Sequence, residues 1–133
     1  MPKIEFPAKF GNRMFQVWRF EVGHSVLLLR STLTKEQPTR IDIMFRAVGE
    51  MRLRKRLDEL TVDLITGDDP RFQDVAIEQG KFLFAVSARD FPHGYVVAGS
   101  MFTAEDDLHY DDPSVLGNKE LEGHLLRQGY FQP

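Results

Sequence analysis

The strongest constraint in this sequence is a predicted β-hairpin close to its N-terminus. Two β-type runs, residues 14–22 and 25–31, are separated only by Gly23 and His24. Glycine at the first of two loop positions is typical of a type II′ turn, because φ at that position is positive. A loop this short also fixes which residues of the two strands lie opposite one another.

This pairing divides the side chains of the hairpin between two faces, because successive residues of a strand point in opposite directions. The predicted core face carries Trp18, Phe20, Val22, Leu27 and Leu29. The opposite face carries Phe15, Val17, Arg19, Glu21, Val26, Leu28 and Arg30. Such a mixture is typical of neither a solvent surface nor a core. We therefore expect a helix, the N-terminal segment or a partner chain to cover part of this second face.

Several later segments also have the pattern of strands. Residues 40–48 alternate apolar and polar side chains, which is typical of a half-buried strand. Residues 81–88 and 95–102 are predicted as two further strands. Residues 51–60 fit either a helix, through leucines at helical spacing, or two strands joined by a turn. The alternation that follows at 61–65 favours the two strands.

Two short helices are predicted in the second half of the chain. Asp69 and Pro70 are suited to the N-cap and the first helical position, and Gly80 is a typical stop. A C-terminal helix is expected from Asn118 through Gln128. The fold class predicted is α+β, mainly antiparallel β. Its expected form is a curled sheet or small barrel of six or seven strands with one or two short helices.

Composition argues against several classes of protein. The 133 residues include no cysteine, so a disulfide framework and thiol chemistry are excluded, which fits a reducing compartment. A formal net charge of −3 argues against a general nucleic-acid binder. The sequence starts without the apolar stretch of a signal peptide, and its apolar runs are too short to cross a bilayer. We expect one cytoplasmic domain, residues 1–133, that binds neither nucleic acid nor membrane.

Five segments of the chain together form a recognisable pattern: residues 17–25 and 27–31 of the hairpin, and residues 41–43, 94–99 and 112–114. In these segments the chain resembles a family of short, free-standing, uncharacterised bacterial proteins. The resemblance spans most of the chain. It implies a bacterial single-domain protein and assigns no catalytic residue.

Residues 105–112, which we call the acidic strip, have the most unusual local composition in the chain. Its candidate partner-binding residues are Glu105, Asp106, Asp107, His109, Asp111 and Asp112. In an extended strand, Asp107, His109 and Asp111 would share one face and offer metal ligands. The glycine and glutamate that an EF-hand requires are missing, however. Carboxylate clusters without a motif are usually solvated surface, so we predict no metal and a docking surface for a basic partner.

Other chemically suggestive groups have simpler interpretations. The basic run 52–56 lacks interleaved aromatic residues and is typical of a solvated face. His24 and Ser25 are sequence neighbours that point in opposite directions, so they do not form a base–nucleophile pair with each other. Neither a glycine-rich nucleotide loop nor a zinc-protease motif occurs, and no cofactor is predicted.

These observations favour a small protein-binding module, immunity-like or adaptor-like, that acts on a protein partner or on a second copy of itself. The alternative is a small-molecule-binding or enzymatic domain that uses the interior of the sheet. A cavity lined by convergent polar side chains would favour the alternative. The lack of a catalytic motif favours a protein that is not an enzyme.

Overall fold

A computed structural model describes residues 2–133, which form one nine-stranded antiparallel sheet. The strands are β1 (Ala8–Glu21), β2 (Val26–Ser31), β3 (Arg40–Arg46), β4 (Glu50–Arg52), β5 (Arg56–Ile65), β6 (Phe82–Ala88), β7 (Phe91–Ala98), β8 (Ser100–Asp106) and β9 (Leu125–Phe131). Their order in space is β4-β7-β6-β5-β1-β2-β3-β8-β9. Within the described residues the helical segments are two 3-10 turns, Pro70–Phe72 and Lys119–His124.

The predicted α+β class, with six or seven strands in a curled sheet or small barrel and a C-terminal helix, is wrong. Nine strands run in one sheet from β4 at one edge to β9 at the other. The helix expected from Asn118 to Gln128 is a 3-10 turn followed by strand β9, which pairs with β8. Helix propensity is a weak preference, and pairing with an open sheet edge overrides it here. The helix expected from Asp69 to Gly80 is a single 3-10 turn, which Asp69 caps as predicted.

The core lies between two halves of the sheet that face each other. Phe45 on β3 and Phe84 on β6 have ring centroids 5.2 Å apart, although their strands are not neighbours in the sheet. Both side chains are fully buried, as are Ile43 and Val86 on the same faces. The predicted inward facing of Ile43, Phe45, Phe84 and Val86 is therefore confirmed.

The half-buried strand predicted over 40–48 is wrong in two respects. The strand ends at Arg46, which leaves Ala47 exposed. Its opposite face is also buried, at Arg40, Asp42 and Met44.

Two chain junctions bring these halves together. Residues 47–49 separate β3 from β4, and Gly99 alone separates β7 from β8. The Gly49 amide donates to the Val97 carbonyl and the Gly99 amide to the Arg46 carbonyl, each at 2.8 Å. A Cβ on Gly99 would lie 3.2 Å from that of Ala47, so the close approach favours glycine. The β3–β8 pairing thus continues directly into the β4–β7 pairing.

The N-terminal segment lies along the outer edge of β9. The Ile4 amide donates to the Tyr130 carbonyl at 2.8 Å, and the Tyr130 amide donates to the Pro2 carbonyl at 3.0 Å. The rings of Phe6 and Phe131 meet edge to face, with centroids 5.7 Å apart. These contacts protect part of an edge strand that would otherwise expose its backbone groups.

The predicted hairpin of β1 and β2 is present, but its turn differs from the prediction. The loop spans residues 22–25, and the positive φ belongs to Ser25, at 52°, and not to Gly23. Four-residue loops are a common alternative to type II′ turns in hairpins. Phe20 and Val22 lie at this tip and are 37% and 78% exposed, so their assignment to the core is wrong.

A β-bulge at Trp18 reverses the facing of the first part of β1. The pairing with β2 shifts between Val17 and Arg19, which places Val17 opposite Leu29. One extra residue in a strand moves every side chain beyond it to the other face. Trp18 therefore lies away from Leu29 and stacks on Arg30, so the prediction that it shares the core face is wrong.

The segments with ambiguous patterns are also settled. Residues 51–60 contain the end of β4, a turn and the start of β5, which confirms the strand–turn–strand interpretation. The strand predicted over 95–102 consists of the end of β7 and the start of β8. The predicted turn at 92–94 lies inside β7, and the chain turns instead at Asp90, whose φ is 62°.

Candidate functional site

The outer face of β2, β3 and β8 holds two buried ion pairs. Arg30 lies opposite Asp42, and Arg40 lies opposite Asp106. Each guanidinium binds its carboxylate through two nitrogens, at 2.7 and 3.0 Å in the first pair and 3.0 and 3.2 Å in the second. The four side chains are at most 2% exposed. Pairs of this geometry are among the strongest hydrogen-bonded contacts in proteins.

Residues 107–118, which we call the covering loop, keep this outer face dry. Leu108 and Val115 of the loop are buried, as are Leu28 and Met44 of the sheet, and none of the four belongs to the main core cluster. Part of the mixed face of the hairpin, at Leu28 and Arg30, is therefore covered as expected, whereas Arg19 and Glu21 are exposed. The cover is a loop of this chain and not a helix, the N-terminal segment or a partner.

Arg30 and Arg40 also fix the backbone of the covering loop. Together they donate five hydrogen bonds of 2.7–3.0 Å to its carbonyl oxygens. The acceptors are the carbonyls of His109, Tyr110, Asp112 and Pro113. Across residues 2–133, every buried side-chain nitrogen and oxygen has a partner. The loop and the two arginines thus satisfy each other, which offsets the cost of burying charge.

The carboxyl group of Asp106 shows what this burial costs. Desolvation is the main influence, and it raises the pKa of Asp106 above its ordinary value. Hydrogen bonds from Arg40 and from the amide of Leu108, the latter at 2.9 Å, act in the opposite direction. The ionised form of this carboxyl therefore depends on its guanidinium partner.

The structure separates the predicted residues of the acidic strip. Asp106 is buried beneath the covering loop, and Glu105 lies on the opposite, inner face of β8. Asp112 is half-buried, and its carboxylate accepts a hydrogen bond of 2.9 Å from the His109 amide. The exposed members are Asp107, His109 and Asp111. Asp107 contacts the His124 ring at 2.8 Å.

An aromatic pair lies beside the exposed part of the strip. Tyr110 is 58% exposed, and its ring meets that of Trp18 edge to face at 6.4 Å. The guanidinium of Arg30 lies 5.1 Å from the centroid of Trp18 on the same outer face. We call Trp18, Tyr110 and Asp111 the aromatic–acidic patch. Sequence reasoning missed the two aromatic residues, because the wrong register placed Trp18 in the core.

A concave region, which we call the inner cleft, opens between the N-terminal segment, β1, β3, β8 and β9. Its volume is about 530 Å³. Arg13, whose side chain is 7% exposed, donates to the Thr39 carbonyl at 3.0 Å and to the Glu105 carboxylate at 3.5 Å. The Thr39 hydroxyl donates to the same carboxylate at 2.6 Å. Burial lowers the pKa of Arg13, and the charge of Glu105 opposes that shift.

Two further findings concern metal ligands and membrane-spanning helices. Across residues 2–133, no three histidine or carboxylate side chains are placed to hold a metal ion. In the same part of the chain, no helix has the length and apolar character needed to span a bilayer.

Comparisons with known proteins give no match of any kind. No family model matches the sequence, no curated protein is similar to it, and no solved structure matches the fold. No matched protein therefore supplies a function for this chain.

Proposed function

We propose that this domain is a protein-binding module that docks a basic segment of a partner protein on the aromatic–acidic patch. One observation carries the proposal. Two buried arginines hold the covering loop with five charge-assisted hydrogen bonds, and that loop presents Tyr110 and Asp111 to solvent.

A loop held in this way loses little conformational entropy when a partner binds, and such preorganisation favours affinity. Tyrosine and tryptophan are enriched among the residues that dominate binding energy at interfaces. An exposed aromatic ring also attracts lysine and arginine side chains, and adjacent carboxylates add complementary charge. These properties together favour a positively charged partner.

The biological setting that we propose is immunity-like or adaptor-like, in the cytoplasm of a bacterium. The absence of cysteine and the resemblance to short bacterial proteins support it. If the partner is a second copy of this chain, the same patch mediates self-association.

The test is affinity capture from the native cell, followed by titration of the captured protein against purified variants. Tyr110→Ala and Asp111→Lys remove the ring and reverse the charge at exposed positions. We expect each to weaken binding by about tenfold or more, which corresponds to the loss of one good interface contact. Asp68→Lys, at an exposed position in a different loop, is the matched control and should bind as the wild type does.

Two results would contradict the proposal. One is capture of no specific partner by the wild type. The other is a captured partner whose affinity is the same for Tyr110→Ala, Asp111→Lys and Asp68→Lys. Unfolding curves for all three variants establish that lost binding does not reflect a lost fold.

A further inference from the structure

We propose that the inner cleft binds a small organic anion, with a carboxylate or phosphate head and a short apolar tail. This ligand is independent of the protein partner proposed above. Three features of the cleft carry the inference: the charges that line it, the network at its base and its apolar wall.

The lining of the cleft is basic in a protein that is acidic overall. It includes four cationic side chains, Lys3, Lys9, Arg13 and Arg127, and two carboxylates, Glu5 and Glu105. The whole chain has a formal net charge of −3. Concave surfaces lined by one sign of charge concentrate ligands of the opposite sign.

The buried network at the base leaves the outer cations available. The charge of Glu105 is already paired with Arg13, and its carboxylate also accepts a hydrogen bond from the Thr39 hydroxyl. Arg127 is 85% exposed and reaches the other Glu105 oxygen only at 3.9 Å. Within residues 2–133, Lys3 and Lys9 take part in no ion pair. An anion entering the cleft would therefore meet cations that lack a close partner.

The wall of the cleft accounts for the apolar tail. Ile4, Phe10 and Ile41 line it beside the charged groups. A volume of about 530 Å³ lies within the ~300–1,000 Å³ typical of small-molecule sites, which combine apolar walls with a few convergent polar groups. Inorganic ions alone would leave this wall unused.

The inner cleft and the aromatic–acidic patch lie on opposite faces of the sheet. Glu105 faces the cleft, and its neighbour Asp106 faces the covering loop. A ligand in the cleft therefore touches no residue of the patch. Failure of one proposal leaves the other standing.

The experiment is an NMR titration of the full chain with hexanoate, hexyl phosphate, hexylammonium and inorganic phosphate. We expect saturable amide shifts at residues that line the cleft with one or both of the hexyl anions, and none with hexylammonium. The two anions distinguish a carboxylate ligand from a phosphate ligand. Inorganic phosphate should bind more weakly than hexyl phosphate, because it lacks the tail.

A paired set of variants assigns the binding to the cleft. Lys9→Glu combined with Arg127→Glu reverses two exposed charges at its rim, and we expect affinity for the preferred anion to fall about tenfold or more. Lys35→Glu combined with Lys119→Glu makes the same change in net charge at exposed positions elsewhere. This control should bind as the wild type does.

The proposal is overturned by any of three results: no saturable shifts with either hexyl anion, an equal response to hexylammonium, or equal loss of affinity in the two double variants. Inorganic phosphate that binds as tightly as hexyl phosphate would overturn the role given to the apolar wall.

Discussion

The inner and outer faces of β3 are equally dry but are built from opposite chemistry. On the inner face, Phe45 is fully buried against Phe84 of the facing half of the sheet. On the outer face, Asp42 and Arg40 are just as inaccessible, but each is held by a partner of opposite charge. Apolar burial stabilises in rough proportion to area and requires no specific partner. Buried charge stabilises only when every group is matched.

This difference suggests a division of roles between the faces. The inner face provides most of the free energy of folding, because its packed rings gain from both desolvation and dispersion. The outer face determines where the covering loop lies, since its arginines donate only to carbonyl oxygens placed within hydrogen-bond reach. Three experiments test this division.

Replacing one partner of a buried ion pair should have the largest effect. Arg40→Met leaves Asp106 buried without its counter-ion. It also removes the three hydrogen bonds that Arg40 donates to carbonyls of the covering loop. We expect a loss of about 4 kcal/mol in the free energy of unfolding, measured by urea denaturation. Arg56→Met, which breaks an exposed pair with Asp58, should cost less than about 1 kcal/mol. An equal loss in the free energy of unfolding for Arg40→Met and Arg56→Met would show that the outer face is not shielded from water.

The double variant Arg40→Met with Asp106→Leu sharpens this test. Apolar side chains in place of both charges should recover much of the loss, because no buried charge remains unpaired. What is not recovered measures the contribution of the loop carbonyls that lack donors and of the Leu108 amide that lacks its acceptor.

Removing a ring from the inner face should have the next largest effect. Phe84 contacts Phe6, Phe45 and Phe131, and Phe84→Ala leaves a cavity among them. We expect a loss of about 3 kcal/mol by denaturation, while amide shifts of the covering loop stay close to those of the wild type. Phe20→Ala, at the partly exposed hairpin tip, is the control and should cost about 1 kcal/mol or less. A displaced covering loop in Phe84→Ala would contradict the division of roles.

Asp69 should give the smallest effect, and it provides a partly exposed reference for the buried pairs. The side-chain and backbone hydrogen bonds from Arg71 lower its pKa from 3.8 to about 2. Because the folded pKa is depressed, the stability that Asp69 contributes is present above about pH 4 and is lost as the pH falls through about 2. An NMR titration of this carboxyl should have its midpoint near 2, and the wild type and Asp69→Asn should converge in stability at low pH. A midpoint near the ordinary value would contradict the contact.

The inner face was largely predictable from the sequence, and the outer face was not. Strict alternation over residues 40–48 correctly placed Phe45, and the strand pattern of residues 81–88 correctly placed Phe84, because facing repeats every two residues within a regular strand. The bulge at Trp18 adds one residue without a compositional signal, and it reversed the facing of half of β1. Alternation also cannot distinguish polar residues that face water from those that face a distant loop.

The candidate site was predictable only in part, for the same reason. Local composition identified the acidic strip, and Asp107 and Asp111 are indeed exposed. Asp106 is buried because Arg40, 66 residues earlier in the chain, lies opposite it. Nothing in the sequence indicates that Arg40 and Asp106 lie next to each other in the folded chain. The inner cleft was missed entirely, since its walls come from the N-terminal segment, β1, β3, β8 and β9.

The backbone hydrogen bonds of Pro2 and Ile4 with Tyr130 have a consequence for folding of the protein. Residues 2–4 find their partner strand only after residue 130 has also been synthesised. Until then Phe6 has no Phe131 to pack against, and the outer edge of β8 is unpaired. Contacts that span nearly the whole chain slow folding, and open strand edges on a nascent chain invite aggregation. Completion of this sheet therefore waits until β9 has been synthesised.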